Sequence, residues 1–401
     1  MNEQKEINIR RRKYWLKNAI LFWTLKLNFF RSKKIWVFGC WEGMKFDDNS
    51  RYLFEYMNEF HPEIRSVWIS KNIEVVSKMQ NRGYEAYMAD SKMGKKIQLR
   101  AGAYFFTNGI DDIGDVTLIY GAKIIGLWHG TGMKNVYYQS PHMKKLTIHN
   151  LLKRIKDRIF NLCYQDYAIA TSNKVAEMRA ETYRLNIRKI LITGQPRNDV
   201  FKRKLKASNV FYFLSNADEY RYILYMPTHR PYKSSAIEEF VLKISCNSSF
   251  VDYLKKENIR FILKLHYLTK IDKSLVKEPF FIVANDDVEN TQELLAVSDY
   301  MITDYSGCCI DFAISKKPIF LYAPDFELYN QKVGIKKEWI SIYNSYAYKE
   351  ADSLIHELEN VISGKFEDFK LFETINEIYE SPDIRDTCYS ENVFKAISQL
   401  L

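Results

Sequence analysis

Residues 299–322 read DYMITDYSGCCIDFAISKKPIFLY, and this stretch decides the fold. A run rich in aromatic and β-branched residues, 299–306, carries a strand that ends in Thr303 and Asp304. A helix starts around Ser306 and Gly307, and a second apolar run, PIFLYAP (318–324), follows it. Strand, helix and strand in succession predict a parallel pair joined by a crossover.

The same alternation runs outward in both directions. Strands are expected at 35–40, 64–70, 84–89, 103–108, 123–128, 166–171 and 189–194, then at 222–228, 259–266 and 280–285. Helical stretches are expected between many of them, at 49–60, 71–82, 143–163 and 173–185. The fold class this predicts is α/β, with two doubly wound, Rossmann-like domains and helices on both faces of each sheet. At 401 residues the chain is too long for one core. The polar, basic stretch 202–208 reads as a linker. The expected division is a segment 1–33, a first domain 34–201, a second domain 209–345, and helices at 346–401 that brace the two.

Apolar content of 47% and charged content of 27% make the chain globular. The six cysteines (40, 163, 246, 308, 309 and 388) form no CxxC pair, and nothing reads as a secretory signal. They are expected to be reduced, cytosolic thiols, with Cys308 and Cys309 filling core space. Of the net charge of +10, a balance of +8 lies in residues 1–34. A nucleic-acid enzyme spreads positive charge over a groove in its folded body, so nucleic acid is excluded as the partner. On a helical wheel of 10–30, Arg10, Lys13 and Lys17 share one narrow face, and Trp15, Trp23 and their apolar neighbours cover most of the rest. The apolar run carries Lys17 and Lys26 and is short for a membrane span. With Arg11 and Arg12 beside it, the segment is expected to lie in the interface of an anionic membrane. A helix packed on the protein's own body is the alternative.

In open α/β sheets ligands bind beyond the carboxyl ends of strands, so the residues there matter most. His129 follows such an end in IIGLWHGTGMK (124–134), where Gly130 and Gly132 permit close backbone approach and Thr131 offers a hydroxyl. Imidazole accepts a proton near neutral pH, although a strand-end histidine also serves purely structural roles. In TGQPRND (193–199), Arg197 presents a fork suited to phosphate, or to a carboxylate in a salt bridge. YMPTHR puts Pro227, Thr228, His229 and Arg230 at another end, and LKLH puts Lys264 and His266 two residues apart on one face. Ser306 and Gly307 at a helix start suit an anion, and Asp311 lies in the first turns, within reach of a ligand hydroxyl. Helix capping also explains Asp304 or Ser306. No acidic cluster has metal-ligand spacing and no Walker loop occurs, so neither a metal nor a cofactor is expected. Transfer of a phosphorylated group from a nucleotide diphosphate suits this mixture of cations, imidazoles and hydroxyls. A nucleotide-sugar glycosyltransferase is the alternative.

The motifs WHGTGMK, TGQPRND, MPTHR, KLH and ITDYSGCCIDFAISKKPIFLY, in this order, resemble the CDP-glycerol glycerophosphotransferase family over roughly residues 35–335. The resemblance implies a GT-B-like enzyme on the cytoplasmic face of the cell membrane. It would move glycerol phosphate or ribitol phosphate from a CDP-polyol to a lipid-linked acceptor and release CMP, building teichoic acid or capsular polymer. It implies His129 as base. It places Gly130, Thr131, Gly132, Met133, Arg197, Pro227, Thr228, Lys264, His266, Ser306 and Asp311 along the donor, where Arg230, Thr303, Asp304 and Gly307 are also expected from their strand-end and helix-start positions. Gly132 stands where the family has proline, Gly307 replaces a second serine, and Tyr267 follows KLH where proline is common. The chain length resembles that of priming enzymes.

Overall fold

The protein is seen in a computed structural model that describes residues 30–114, 118–119, 121–139, 147–148, 150–152, 165–232, 234–266, 268–269, 271–276, 281–283, 290–365 and 370–401. The basic segment, with Arg10, Arg11, Arg12, Lys13, Trp15 and Trp23, lies outside these residues, as do Tyr267 and most of the helix expected at 143–163.

The first sheet holds β1 (Ser32–Phe38), β2 (Arg65–Ser70), β3 (Ala86–Met88), β4 (Ala101–Phe106), β5 (Lys123–Gly126), β6 (Tyr167–Ala170) and β7 (Ile190–Ile192). Their order is β3-β2-β1-β4-β5-β6-β7, every pair parallel. The second holds β8 (Arg221–Met226), β9 (Ile259–Leu263), β10 (Phe281–Val283), β11 (Tyr300–Thr303), β12 (Ile319–Tyr322) and β13 (Ala347–Tyr348). Its order is β10-β9-β8-β11-β12-β13, also parallel. Each sheet therefore starts at an inner strand, winds one way, and then reverses: between β1 and β4 in the first, between β8 and β11 in the second. Such a reversal opens a crevice at the carboxyl ends of the two strands.

Each apolar run read from the sequence overlaps one of these strands; β1, β4 and β8 begin one to three residues before their runs, and all but β2 stop short of the run's end. The run 123–128 stops as strand at Gly126 and 259–266 stops at Leu263, so His129, Lys264 and His266 sit just past strand ends. Strands covered on both faces read as continuous apolar runs. β4 is buried along its whole length. Trp36, Phe38, Phe54, Trp68 and Phe105 are fully buried around it, with Phe38 and Phe105 stacked at 4.8 Å. Phe240, Phe250, Phe261, Ile302 and Leu354 form the matching core in the second sheet's layer. Side-chain caps start the helices Asp48–Phe60, Ile73–Asn81, Lys92–Arg100 and Asn173–Tyr183, from Asp47, Asn72, Ser91 and Ser172 respectively.

The chain divides into two compact units, and neither is contiguous in sequence. The first comprises Met1–His129, Lys145–Asp199 and Pro382–Leu401; the second comprises Gly130–Lys144 and Val200–Ser381. The segmentation drawn from the sequence has neither exchange, because it was cut where apolar patterning pauses rather than where contacts change.

Candidate active site

In the first unit, β5 ends in a forced turn. Gly126 leaves no room for a side chain, since a Cβ there would stand 2.0 Å from Gln165 Oε1 and 2.8 Å from Trp128 Nε1. Trp128 takes a left-handed conformation (φ 59°), and its indole is buried, stacked on Tyr183 at 4.0 Å and bonded to Gln165 Oε1. The buried tryptophan acts as the pivot that leaves His129 exposed beyond it. The contact of His129 Nδ1 with the Thr107 carbonyl is long, at 3.4 Å. Because that oxygen only accepts, the proton belongs on Nδ1 and the lone pair on Nε2. Crowding by the surrounding protein strips hydration and lowers the imidazole pKa; Asp48 opposes this and Arg197 adds to it.

Arg197 is bound to its own unit. Its Nη1 donates to Asp48 Oδ1 at 3.0 Å, and its backbone N–H donates to Asn49 Oδ1. Asn49 Nδ2 donates in turn to the Trp128 carbonyl at 2.7 Å. The rest of TGQPRND secures the C-terminal helix Tyr389–Ser398. Asp199 accepts from Tyr389 N, Ser390 N and Ser390 Oγ at 2.6–2.9 Å. Gly194 (φ 79°) is mandatory because a Cβ would strike the Tyr389 ring at 2.0 Å. The motif thus ties the strand end carrying His129 to two distant helices.

Backbone strain gathers here. Among the described residues, eight non-glycine positions have positive φ, and Trp41, Glu42, Asp48 and Trp128 are four of them. Each costs about 1–2 kcal/mol relative to the right-handed form, and such strain concentrates at functional sites. Asp112 holds the crevice together: its carboxylate accepts from Glu42 N after β1 (2.6 Å) and from Thr107 N and Asn108 N after β4 (2.9 and 2.6 Å).

In the second unit Asp304 plays the corresponding part between β8 and β11. One oxygen accepts from Thr228 N (2.8 Å) and Tyr305 N, and the other takes Arg230 Nη1 at 2.6 Å. Arg230 also forks onto Asp325 through Nε and Nη2, and its guanidinium lies 4.7 Å from the Tyr305 ring centroid. Burial works against the charge, but Asp304 and Asp325 outweigh it and raise the guanidinium pKa. Arg230 and Asp304 are therefore both engaged with protein groups. Thr303 donates to the Met226 carbonyl, and Asp311 is buried and accepts from Gln292 Nε2 at 3.2 Å. Pro227 is buried in the turn.

The chain just after His129 is built into this second unit. Lys134 bridges Ile335 in antiparallel fashion, Lys336 N donates to the Met133 carbonyl, and Met133 is fully buried against the Tyr343 hydroxyl. Gly307 is needed for this packing, because a Cβ would lie 2.6 Å from the Thr131 carbonyl. That explains glycine in place of the family's second serine. Gly130 turns with φ 103°, whereas Gly132 is exposed, and a Cβ there would meet only Lys134 N at 4.0 Å. Ser306 Oγ accepts from the Cys308 thiol at 3.0 Å, which keeps its own proton available for donation. Burial pushes the Cys308 pKa up to about 12, so the group is a thiol. The helix that follows is short, Cys308–Ala313.

The hydroxyls of Thr131 and Thr228 find no hydrogen-bond partner among the described residues, although both oxygens are buried. Buried hydroxyls without partners carry a desolvation cost that a ligand relieves. His266 is exposed, stacks near His229 (5.7 Å between centroids), and accepts from Leu268 N at Nδ1. This tautomer carries its proton on Nε2, the reverse of His129. Loss of hydration, then His229 and Lys134, lower its pKa. Lys264 is half-buried beside it. Lys134, quoted in the strand-end motif but given no role there, has its ammonium 5.7 Å from the Tyr329 ring centroid. Burial lowers its pKa, with Asp304 opposing. Lys134 is the lysine of WHGTGMK, whereas Asp325 carries no sequence signal beyond its own charge. Among the described residues no group of three or more His, Cys, Asp or Glu is arranged to hold a metal ion.

A family model for CDP-glycerol:poly(glycerophosphate) glycerophosphotransferases matches residues 21–399, and the chain belongs to that family. It is 25% identical over 340 residues to a teichoic acid poly(glycerol phosphate) polymerase of Staphylococcus epidermidis, covering 81% of this chain and 45% of the relative. It is 29% identical over 247 residues to a teichoic acid glycerol-phosphate primase of Bacillus subtilis, covering 59% of each. The chain spans less than half the length of the polymerases of S. epidermidis and B. subtilis that it matches. Its fold is similar to that of the wall teichoic acid polymerase TagF, with a TM-score of 0.70 at 21% identity over 98% of both chains.

Proposed function

We propose that the chain transfers a polyol phosphate, glycerol phosphate or ribitol phosphate, from a CDP-polyol to a hydroxyl of a lipid-linked acceptor and releases CMP. The family match over residues 21–399 carries this reading. His129 Nε2 takes the proton of the acceptor hydroxyl, whose oxygen attacks the phosphorus bearing the polyol. The bond from that phosphorus to the bridging oxygen breaks, and the electron pair leaves with CMP. Thr131, Thr228, Ser306, Lys264 and His266 Nε2–H are the donors assigned to the diphosphate, where negative charge grows on the leaving group. Arg197, Arg230 and Asp304 position these turns.

The basic segment 1–33 is assigned to an anionic membrane surface at the cytoplasmic face. Among the described residues, no helix is long and apolar enough to cross a membrane. The purified chain is to be incubated with CDP-glycerol and CDP-ribitol in turn, and the acceptor weighed. One added polyol phosphate per CMP released is expected from at least one donor; transfer only from UDP- or GDP-sugars contradicts the reading.

A further inference from the structure

We propose that the loop Trp41–Lys45 is the acceptor subsite. The Trp41 indole carries the carbon skeleton of the incoming polyol or sugar, and Lys45 pairs the phosphodiester behind it. The inference rests on the proposed function, because it takes His129 as the base that the acceptor must reach.

The loop follows β1, the strand at which the first sheet reverses. Trp41 and Glu42 are both left-handed (φ 46° and 57°) and lead into Gly43 at 81°. Nothing in a strand-to-helix connection demands this: the loop after β8, its counterpart in the second sheet, has no positive φ among its described residues. The conformation is imposed from outside. Asp112 takes Glu42 N, Ser70 Oγ and Lys71 N both donate to the Gly43 carbonyl, and Gly39 approaches Asp112 so closely that a Cβ would meet its carbonyl at 2.4 Å.

These pins fix the indole 5.7 Å from the His129 ring, tilted 41° to it, and put Lys45 Nζ 5.6 Å from the indole centroid. Trp41 is half-buried, while Glu42, Lys45 and His129 are exposed. A rigid aromatic ring binds the C–H edge of a polyol or sugar and leaves its hydroxyls outward. A skeleton on this ring has one end at the imidazole and its phosphate beside an ammonium.

The test compares wild type, Trp41→Ala, Trp41→Phe and Lys45→Ala in the full chain, with a soluble analogue of the phosphate-bearing acceptor. Trp41→Ala is expected to raise the acceptor KM about tenfold with the dissociation constant for CDP-glycerol within about twofold of wild type. Trp41→Phe recovers most of the loss. Lys45→Ala, an exposed change that leaves folding intact, raises the acceptor KM only when the acceptor carries the phosphodiester. An unchanged acceptor KM in a folded Trp41→Ala protein overturns the platform; if that protein does not fold, equal KM values for Lys45→Ala and wild type overturn it. A wild type that releases no CMP from any CDP-polyol removes the functional reading itself, and the platform with it.

Discussion

At the scale of single residues, the charged groups separate into those engaged chiefly with protein and those assigned to the donor. Arg230, held between Asp304 and Asp325 with its side chain 5% exposed, is of the first kind. Arg230→Met leaves two carboxylates facing each other without a cation, and should cost about 3–5 kcal/mol of stability, read from the urea midpoint. Arg230→Lys should recover little, since one ammonium cannot replace the fork. Asp47 is a second such case. Burial, with Asp48 adding, raises its carboxyl pKa from 3.8 to about 6. The folded chain therefore keeps a proton that the unfolded chain has lost, and stability falls as pH rises from about 4 to about 6. Asp47→Asn should raise the Tm at pH 8 and give no gain near pH 4; equal gains at both contradict the assignment. The sequence placed His129 past a strand end, and Lys264 and His266 at the tip of another strand, because strand periodicity is a local signal. It could not show that Arg197 pairs with Asp48 or Arg230 with Asp325, partners 149 and 95 residues apart. Arg197 carries both a phosphate and a carboxylate reading on sequence alone, and only the packing decides between them.

At the scale of elements, the long apolar strands were legible and the weakly marked elements were not. β13 is two residues long and sits at a sheet edge. The helix Lys92–Arg100 is rich in lysine and includes Gly94, which is there because a Cβ would meet the Met88 carbonyl at 2.1 Å. Close packing against the preceding strand overrides propensity here. The N-terminal boundary is also a matter of elements. Arg31 donates to the carbonyls of Gln98, Ala101 and Leu118 at 2.7–3.0 Å, so it belongs to the folded unit although it reads as part of the basic segment. Deleting residues 1–29 should release the protein from anionic vesicles and leave its Tm nearly unchanged, whereas deleting 1–31 should lower the Tm by several degrees. Vesicle binding that survives the shorter deletion contradicts the membrane role.

At the scale of the whole molecule, the same device occurs twice. In each sheet a buried aspartate, Asp112 or Asp304, links the two loops where strand order reverses. Among its strand-end loops the first sheet carries a strained loop and an imidazole with its lone pair on Nε2; the second carries hydroxyls, an ammonium and an imidazole with its proton there. The chain passes from one unit to the other between His129 and Gly130. Strand alternation made the two sheets legible. The exchange of Gly130–Lys144 and Pro382–Leu401 between units depends on pairings such as Met133 with Lys336 and Asp199 with Ser390, which no local pattern encodes.

The central claim is that the His129 imidazole removes the acceptor proton, and the pH dependence of single-turnover CMP release tests it most directly. Wild-type rates should rise through an apparent pKa below 6.5, the ordinary value from which loss of hydration under the surrounding protein lowers this group, and level off by neutral pH. His129→Ala should lose both that inflection and several orders of magnitude in rate, while still binding CDP-glycerol. A His129→Ala protein that keeps the wild-type rate and inflection contradicts the account.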